Sequence, residues 1–189
     1  VAGLLRPQAT HVHFGWPGFG TAPRDPTVNG IGDLAERVVA EIDQPTAIIA
    51  QSMGGVIALL AAYQRPELVT HLVLTVTSGG LDISDLGAHD WRPEFIEANP
   101  GLPQWFSELK LDLTPIVSSI AAPSLLLWGD ADPISPVAVG ERLAALLPHA
   151  RLHVFAGGEH DLGHALAHDV APLIDEHIST NHSRRSPDA

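Results

Sequence analysis

Three kinds of side chain that can share a proton relay stand far apart in this 189-residue sequence: Ser52, the pair Asp130 and Asp132, and His160. A hydroxyl becomes a strong nucleophile when an imidazole takes its proton and a carboxylate fixes the imidazole tautomer and stabilises its charge. Ser52 lies in Gln51-Ser52-Met53-Gly54, between the apolar, β-branched run Thr46–Ala50 and the Ala/Leu-rich run Gly55–Ala62. The first run has strand length and the second helix length, so the serine sits on a strand-to-helix corner. Such a corner strains its central residue and calls for small neighbours two before and two after, here Ala50 and Gly54. The hydroxyl then stands against a helix N-terminus, where free N–H groups favour developing negative charge. A lone x-S-x-G is most often a surface serine, and it is the flanking strand and helix that separate this one from that class.

The remaining elements must bring the other groups to the serine. His11–Phe14 alternates like a strand and is stopped by Gly15-Trp16-Pro17-Gly18-Phe19-Gly20. Ile31, Leu34, Ala35, Val38, Val39 and Ile42 recur on one helix face. His71–Thr77 reads as a strand ended by Ser78-Gly79-Gly80, and Ser124–Trp128 as a buried strand ended by Gly129-Asp130-Ala131-Asp132-Pro133. Ser135 as N-cap and Pro136 at the first helical position open a helix to about Leu147. Arg151–Phe155 is the last strand, followed by Ala156–His160 and helical sequence to about Ile178. Between Leu81 and Pro123 the pattern loosens, with Trp91, Phe95, Trp105 and Phe106 among charged residues. Alternating strands and helices predict an α/β fold with a mostly parallel sheet, helices on both faces, and function at the carboxyl ends of the strands. Ser52, Asp130/Asp132 and His160 all fall at such ends.

Composition narrows the field. With 45% hydrophobic and 17% charged residues the chain is ordinary globular sequence. Ten Lys and Arg against a net charge of −12 argue against a nucleic-acid partner. The absence of cysteine removes disulfides, thiolate nucleophiles and Cys-ligated zinc, and suits a reducing compartment. No segment reaches the apolar length of a membrane span and Val1–Thr10 lacks a signal pattern, so the expectation is a cytoplasmic protein with no membrane partner.

Four stretches in register resemble the α/β-hydrolase superfamily: the P-G-F-G turn after a strand, the x-S-M-G-G corner, W-G-D-A-D-P-I-S-P, and G-G-E-H-D. The likeness runs from about Leu4 to Ile178 and is nearest the small carboxylesterase and C–C-bond hydrolase branch. It implies a core over 1–80 and 116–180, a short cap over 81–115, and leaves 181–189 as a polar, flexible tail. It implies Ser52 as nucleophile, His160 as base, and Asp132 rather than Asp130 as the acid, because the family's carboxylate stands four residues before a proline of that loop. The Met53 N–H would hold the oxyanion. Trp91, Trp105 and Phe106 are the candidates for an acyl pocket, although such aromatics are by default the core of a cap. No cofactor is implied, and the expected substrate is a small carboxylic ester.

The family's His-Gly strand, whose loop gives the second oxyanion donor, has no counterpart ahead of the P-G-F-G strand. The expectation is either an N-terminally shortened copy or a His11–Phe14 strand moved beside Ala47–Ala50, which would carry the Trp16 N–H next to Ser52. A thioesterase, perhydrolase or C–C-bond hydrolase could use the same triad, and the competing class is a weakly active or non-enzymatic binding module. His160, His164 and His168 recur every four residues without the glutamate of H-E-x-x-H, so an exposed stripe is expected there and no metal site. Oligomeric state is left open.

Overall fold

The two strands at the centre of the sheet, β2 (Val69–Thr75) and β3 (Ser124–Gly129), are buried at every residue except Thr70. A strand reads as a continuous apolar run only when both of its faces are covered. In β1 (Thr46–Gln51) and β4 (Ala150–Phe155) exposed residues alternate with half-buried ones over most of the strand, as at an edge. All four run parallel in the order β1-β2-β3-β4 in a computed structural model that describes residues 1–6 and 9–180. The expected polar tail, 181–189, lies outside the described residues.

Helix α1 (Ile31–Ala40) buries Ile31, Leu34, Ala35, Val38 and Val39, the face that its spacing predicts, and packs on α2 (Met53–Gln64). α2 also packs on β1 and β2, and is therefore buried almost all round. α6 (Val137–Leu146) covers β3 and β4, and α8 (Ala167–Ser179) covers β2 and β3. Leu72, Leu74, Leu125, Leu126, Leu127 and Trp128 are fully enclosed at the centre. Between β2 and β3 lie three short helices, α3 (Arg92–Ala98), α4 (Gln104–Ser107) and α5 (Thr114–Val117). No helix among the described residues is long and apolar enough to cross a membrane.

Three local expectations need correction. His11–Phe14 forms no strand: alternation makes a strand only where a neighbour takes up its backbone groups, and among the described residues β1 pairs only with β2. Val12 and Phe14 are accordingly 55% and 37% exposed. Ser135 does not cap α6, which starts after Pro136 without a side-chain cap; the Ser135 hydroxyl is turned inward to the Thr77 carbonyl (3.4 Å). The helical sequence after His160 is divided into α7 (Leu162–Ala165) and α8 by Leu166, whose φ of −113° and ψ of 32° leave the helical region.

At the opposite end of the sheet His177 is buried, and its Nε2–H is shared between the carbonyls of Leu72 (3.1 Å) and Pro123 (3.2 Å). Its ring stands edge-on to His71 at 5.2 Å, and His71 Nε2 donates to the Thr180 carbonyl. Burial, assisted by His71, holds the His177 pKa below its ordinary 6.5. The unfolded chain therefore binds the proton more readily, so this contribution to stability is full above about pH 6.5 and is lost as pH falls through the folded value. The melting temperature is expected to fall between about pH 7.5 and pH 5.5, and to fall less in His177→Gln, which keeps a donor but takes no proton.

Candidate active site

Strand β1 delivers Ser52 at a corner, with φ 52° and ψ −124°, and α2 begins at the next residue. A positive φ is uncommon for a residue with a Cβ, and the conformation is held by the Ser52 N–H donating to the Thr75 carbonyl of β2 at 2.9 Å. The two small residues, Ala50 and Gly54, face each other, and the next position is tighter still. A Cβ on Gly54 would stand 3.6 Å from the Ala50 Cβ, an ordinary contact, whereas one on Gly55 would meet the Thr77 side chain at 2.6 Å.

The carboxylate and the imidazole come from the loops after β3 and β4. Asp132 is enclosed, with no exposed side-chain surface. Its Oδ1 accepts the N–H groups of Ile134 (2.8 Å) and Ser135 (3.1 Å), and its Oδ2 lies 2.8 Å from His160 Nδ1. His160 Nε2 lies 3.0 Å from Ser52 Oγ. A carboxylate can only accept here, so Nδ1 carries the proton and Nε2 of the neutral ring is left to accept from the serine hydroxyl. Ser52, His160 and Asp132 thus form one hydrogen-bonded line across the carboxyl ends of β1, β3 and β4.

Asp130, the other carboxylate, is not part of that line. Its Oδ1 accepts the Gly157 N–H at 2.6 Å, tying the β3 loop to the β4 loop. The two loops touch at Gly129 and Gly158, where a Cβ on Gly129 would lie 2.1 Å from the Gly158 carbonyl oxygen. The Ala131 N–H donates to that same carbonyl at 2.9 Å. Sequence reading missed the support behind the line: Trp128 Nε1–H donates to Ser135 Oγ (3.2 Å), which reaches the Thr77 carbonyl. A serine between two prolines resembles a cap signal, so nothing in the pattern marks it as a core hydroxyl.

Met53, the first residue of α2, has a backbone N–H without a partner in the helix ladder. Trp16 is not carried beside Ser52 on a strand, since His11–Phe14 joins no ladder; it stacks on Phe14 at 5.7 Å and packs against the core. The aromatics Trp91, Trp105 and Phe106 are brought together with Phe19 and Phe95 in one cluster. Phe106 is its buried hub, and Trp91 and Trp105 are half-buried around it. Two surface concavities, of about 460 and 370 Å³, are lined by Arg6 and Asp175 and by Arg24 and Arg37 with their neighbours, and neither is lined by the Ser52 line or by these aromatics. His160, His164 and His168 fall on a loop, α7 and α8, and among the described residues no group of three ligating side chains could hold a metal.

The sequence profile for the alpha/beta hydrolase fold matches residues 2–120, more than half of the sequence. The chain belongs to the alpha/beta hydrolase fold family. It is 27% identical to an uncharacterized hydrolase, YugF, of Bacillus subtilis, over 95% of this chain and 82% of the relative. That 95% is spread over 228 aligned positions, so the relative carries extra residues inside the matched stretch. It is 24% identical to the pimeloyl-[acyl-carrier protein] methyl ester esterase of Chromobacterium violaceum, over 87% of this chain and 82% of the esterase. A meta-cleavage product hydrolase from Pseudomonas fluorescens has the same fold, with a TM-score of 0.66 at 19% identity over 85% of this chain and 76% of that one.

Two substitutions test these placements. Gly55→Ala is expected to lower stability by about 1–3 kcal/mol through the clash with Thr77, and Gly54→Ala by less, measured by denaturant unfolding. Phe106→Ala is expected to cost about 3–5 kcal/mol, as for a buried aromatic.

Proposed function

We propose that the chain is a serine hydrolase that cleaves small carboxylic esters through an acyl-enzyme. The observation that carries the reading is the 3.0 Å approach of Ser52 Oγ to a His160 ring whose other nitrogen is held at 2.8 Å by enclosed Asp132. In this reading Ser52 Oγ attacks the ester carbonyl while His160 Nε2 takes its proton. Asp132 keeps the tautomer and stabilises the imidazolium. The oxyanion of the tetrahedral intermediate accepts from the Met53 N–H at the start of α2. Collapse expels the alcohol, which leaves with the proton from His160. A water then gives a proton to His160, attacks the acyl carbon, and releases the acid as Ser52 recovers its proton.

The ester class is supported by the likeness to a methyl ester esterase, and the likeness in fold to a meta-cleavage product hydrolase keeps C–C-bond hydrolysis as the second reading. In the same reading residues 81–115 serve as a short cap, the partner is a small molecule, and work in a reducing cytoplasm suits a chain without cysteine.

A fluorophosphonate probe is expected to label Ser52 in the folded protein and to leave Ser52→Ala unlabelled; folded protein that takes no label would support the non-catalytic binding module. Asp132→Asn is expected to lower ester turnover by about three to four orders of magnitude through the wrong tautomer. Asp130→Asn keeps an oxygen for the Gly157 N–H and is expected to change turnover little, so equal losses in the two variants would reject the choice of acid.

A further inference from the structure

Gln51 is the last residue of β1 and the only polar side chain in that strand besides Thr46 at its start. Its amide is spent entirely on the segment that carries His160. Oε1 accepts the Gly163 N–H at 3.1 Å, and Nε2 donates to the His160 carbonyl at 3.3 Å. Gly163 lies in the first turn of α7, where an N–H has no partner within the helix, so the side chain supplies the one that is lacking. A primary amide offers an acceptor and a donor on neighbouring atoms, and both are used here, because one target is an N–H and the other a carbonyl.

We propose that Gln51 is a positioning residue that clamps the backbone of His160 to the strand bearing Ser52. This rests on the hydrolase reading for its effect on rate and on geometry alone for its effect on His160. Ser52 and His160 are separated by 108 residues and sit on loops that no strand pairing joins, since β1 and β4 are opposite edges of the sheet. The 3.0 Å contact between their side chains therefore needs a tie between the two backbones, and Gln51 makes it one residue from the serine. Asp130 performs the matching task between the β3 and β4 loops through Gly157. Together they fix the His160 loop from two sides.

Gly163 belongs to the same device. A Cβ there would lie 2.6 Å from Gln51 Oε1, the far end of a flexible side chain, so Gly163→Ala is expected to push the amide aside without disturbing the fold. The higher helix propensity of alanine offsets part of the two lost hydrogen bonds, so the stability is expected to change little. This variant separates positioning from stability. Gln51→Met keeps the length and removes both hydrogen bonds.

The experiment compares wild type, Gln51→Met and Gly163→Ala by fluorophosphonate labelling, p-nitrophenyl acetate turnover, thermal melting and the low-field NMR signal of the His160 Nδ1–H. Labelling rate and kcat are expected to fall about tenfold in both variants with KM changed less than about twofold, as misplacement of a reacting group predicts. The Nδ1–H signal is expected to broaden or vanish, while Gly163→Ala melts close to wild type. Wild-type labelling rates together with a wild-type signal in both variants would overturn the clamp and leave the hydrolase reading standing. A wild-type protein that takes no label, but whose Nδ1–H signal is lost in both variants, would sink the hydrolase reading and support the clamp.

Discussion

The Asp132–His160 contact depends on two loops lying against one another with no side chain between them. Gly129 at the end of β3 and Gly158 after β4 approach so closely that a methyl group on either would overlap the other backbone. Hydrogen bonds across the same seam, from Ala131 to the Gly158 carbonyl and from Gly157 to Asp130, keep the loops in register. With that seam closed, Asp132 lies under the imidazole and is itself held by two N–H groups of its own loop. A carboxylate with no exposed surface needs all of these partners, since each missing one would leave buried charge unsatisfied.

A second constraint sits at the neighbouring pair of strand ends. Ser52 after β1 and Val76 after β2 both have positive φ, and Val76 is β-branched and fully buried. For such a residue this conformation costs on the order of 1–3 kcal/mol and persists only where surrounding contacts over-determine it. Those contacts are present: the Thr75 carbonyl takes the Ser52 N–H, and the Val76 N–H is bound by the Leu127 carbonyl. The turn at Val76 sets Thr77 beneath Gly55 at the start of α2 and presents its carbonyl to Ser135. The corner that holds the serine and the loop that holds the carboxylate are thus braced through one strained residue.

The sheet is asymmetric about this site. β2 and β3 are covered on both sides, while β1, which delivers the serine, is an edge with Ile49 42% exposed. An edge strand gains less support from its neighbours than a central one. The serine corner accordingly takes much of its support from β2 through the Thr75 carbonyl and from α2, which is packed against α1 on its far side.

What the sequence determined by itself was local and periodic. The α1 face, the β-branched and Leu-rich strands, and the strand-to-helix corner at Ser52 follow from spacing, because a side chain's direction along a helix or strand is set by its position in the repeat. The chain order Ser52, Asp132, His160 was also legible, through motif likeness. Tertiary structure decided everything that required two distant segments to meet. Resemblance pointed to Asp132 over Asp130, but only the fold shows the physical difference, Asp132 meeting His160 while Asp130 is turned to the Gly157 N–H. His11–Phe14 has a strand's alternation yet no strand, because pairing belongs to the neighbour as much as to the segment. Ser135 reads as a cap and serves as a core hydroxyl, and Gln51 reads as a strand's polar end and serves as a bridge to residues more than a hundred positions away. A hydrogen bond leaves no period in the sequence, so its partners appear only once the chain is folded.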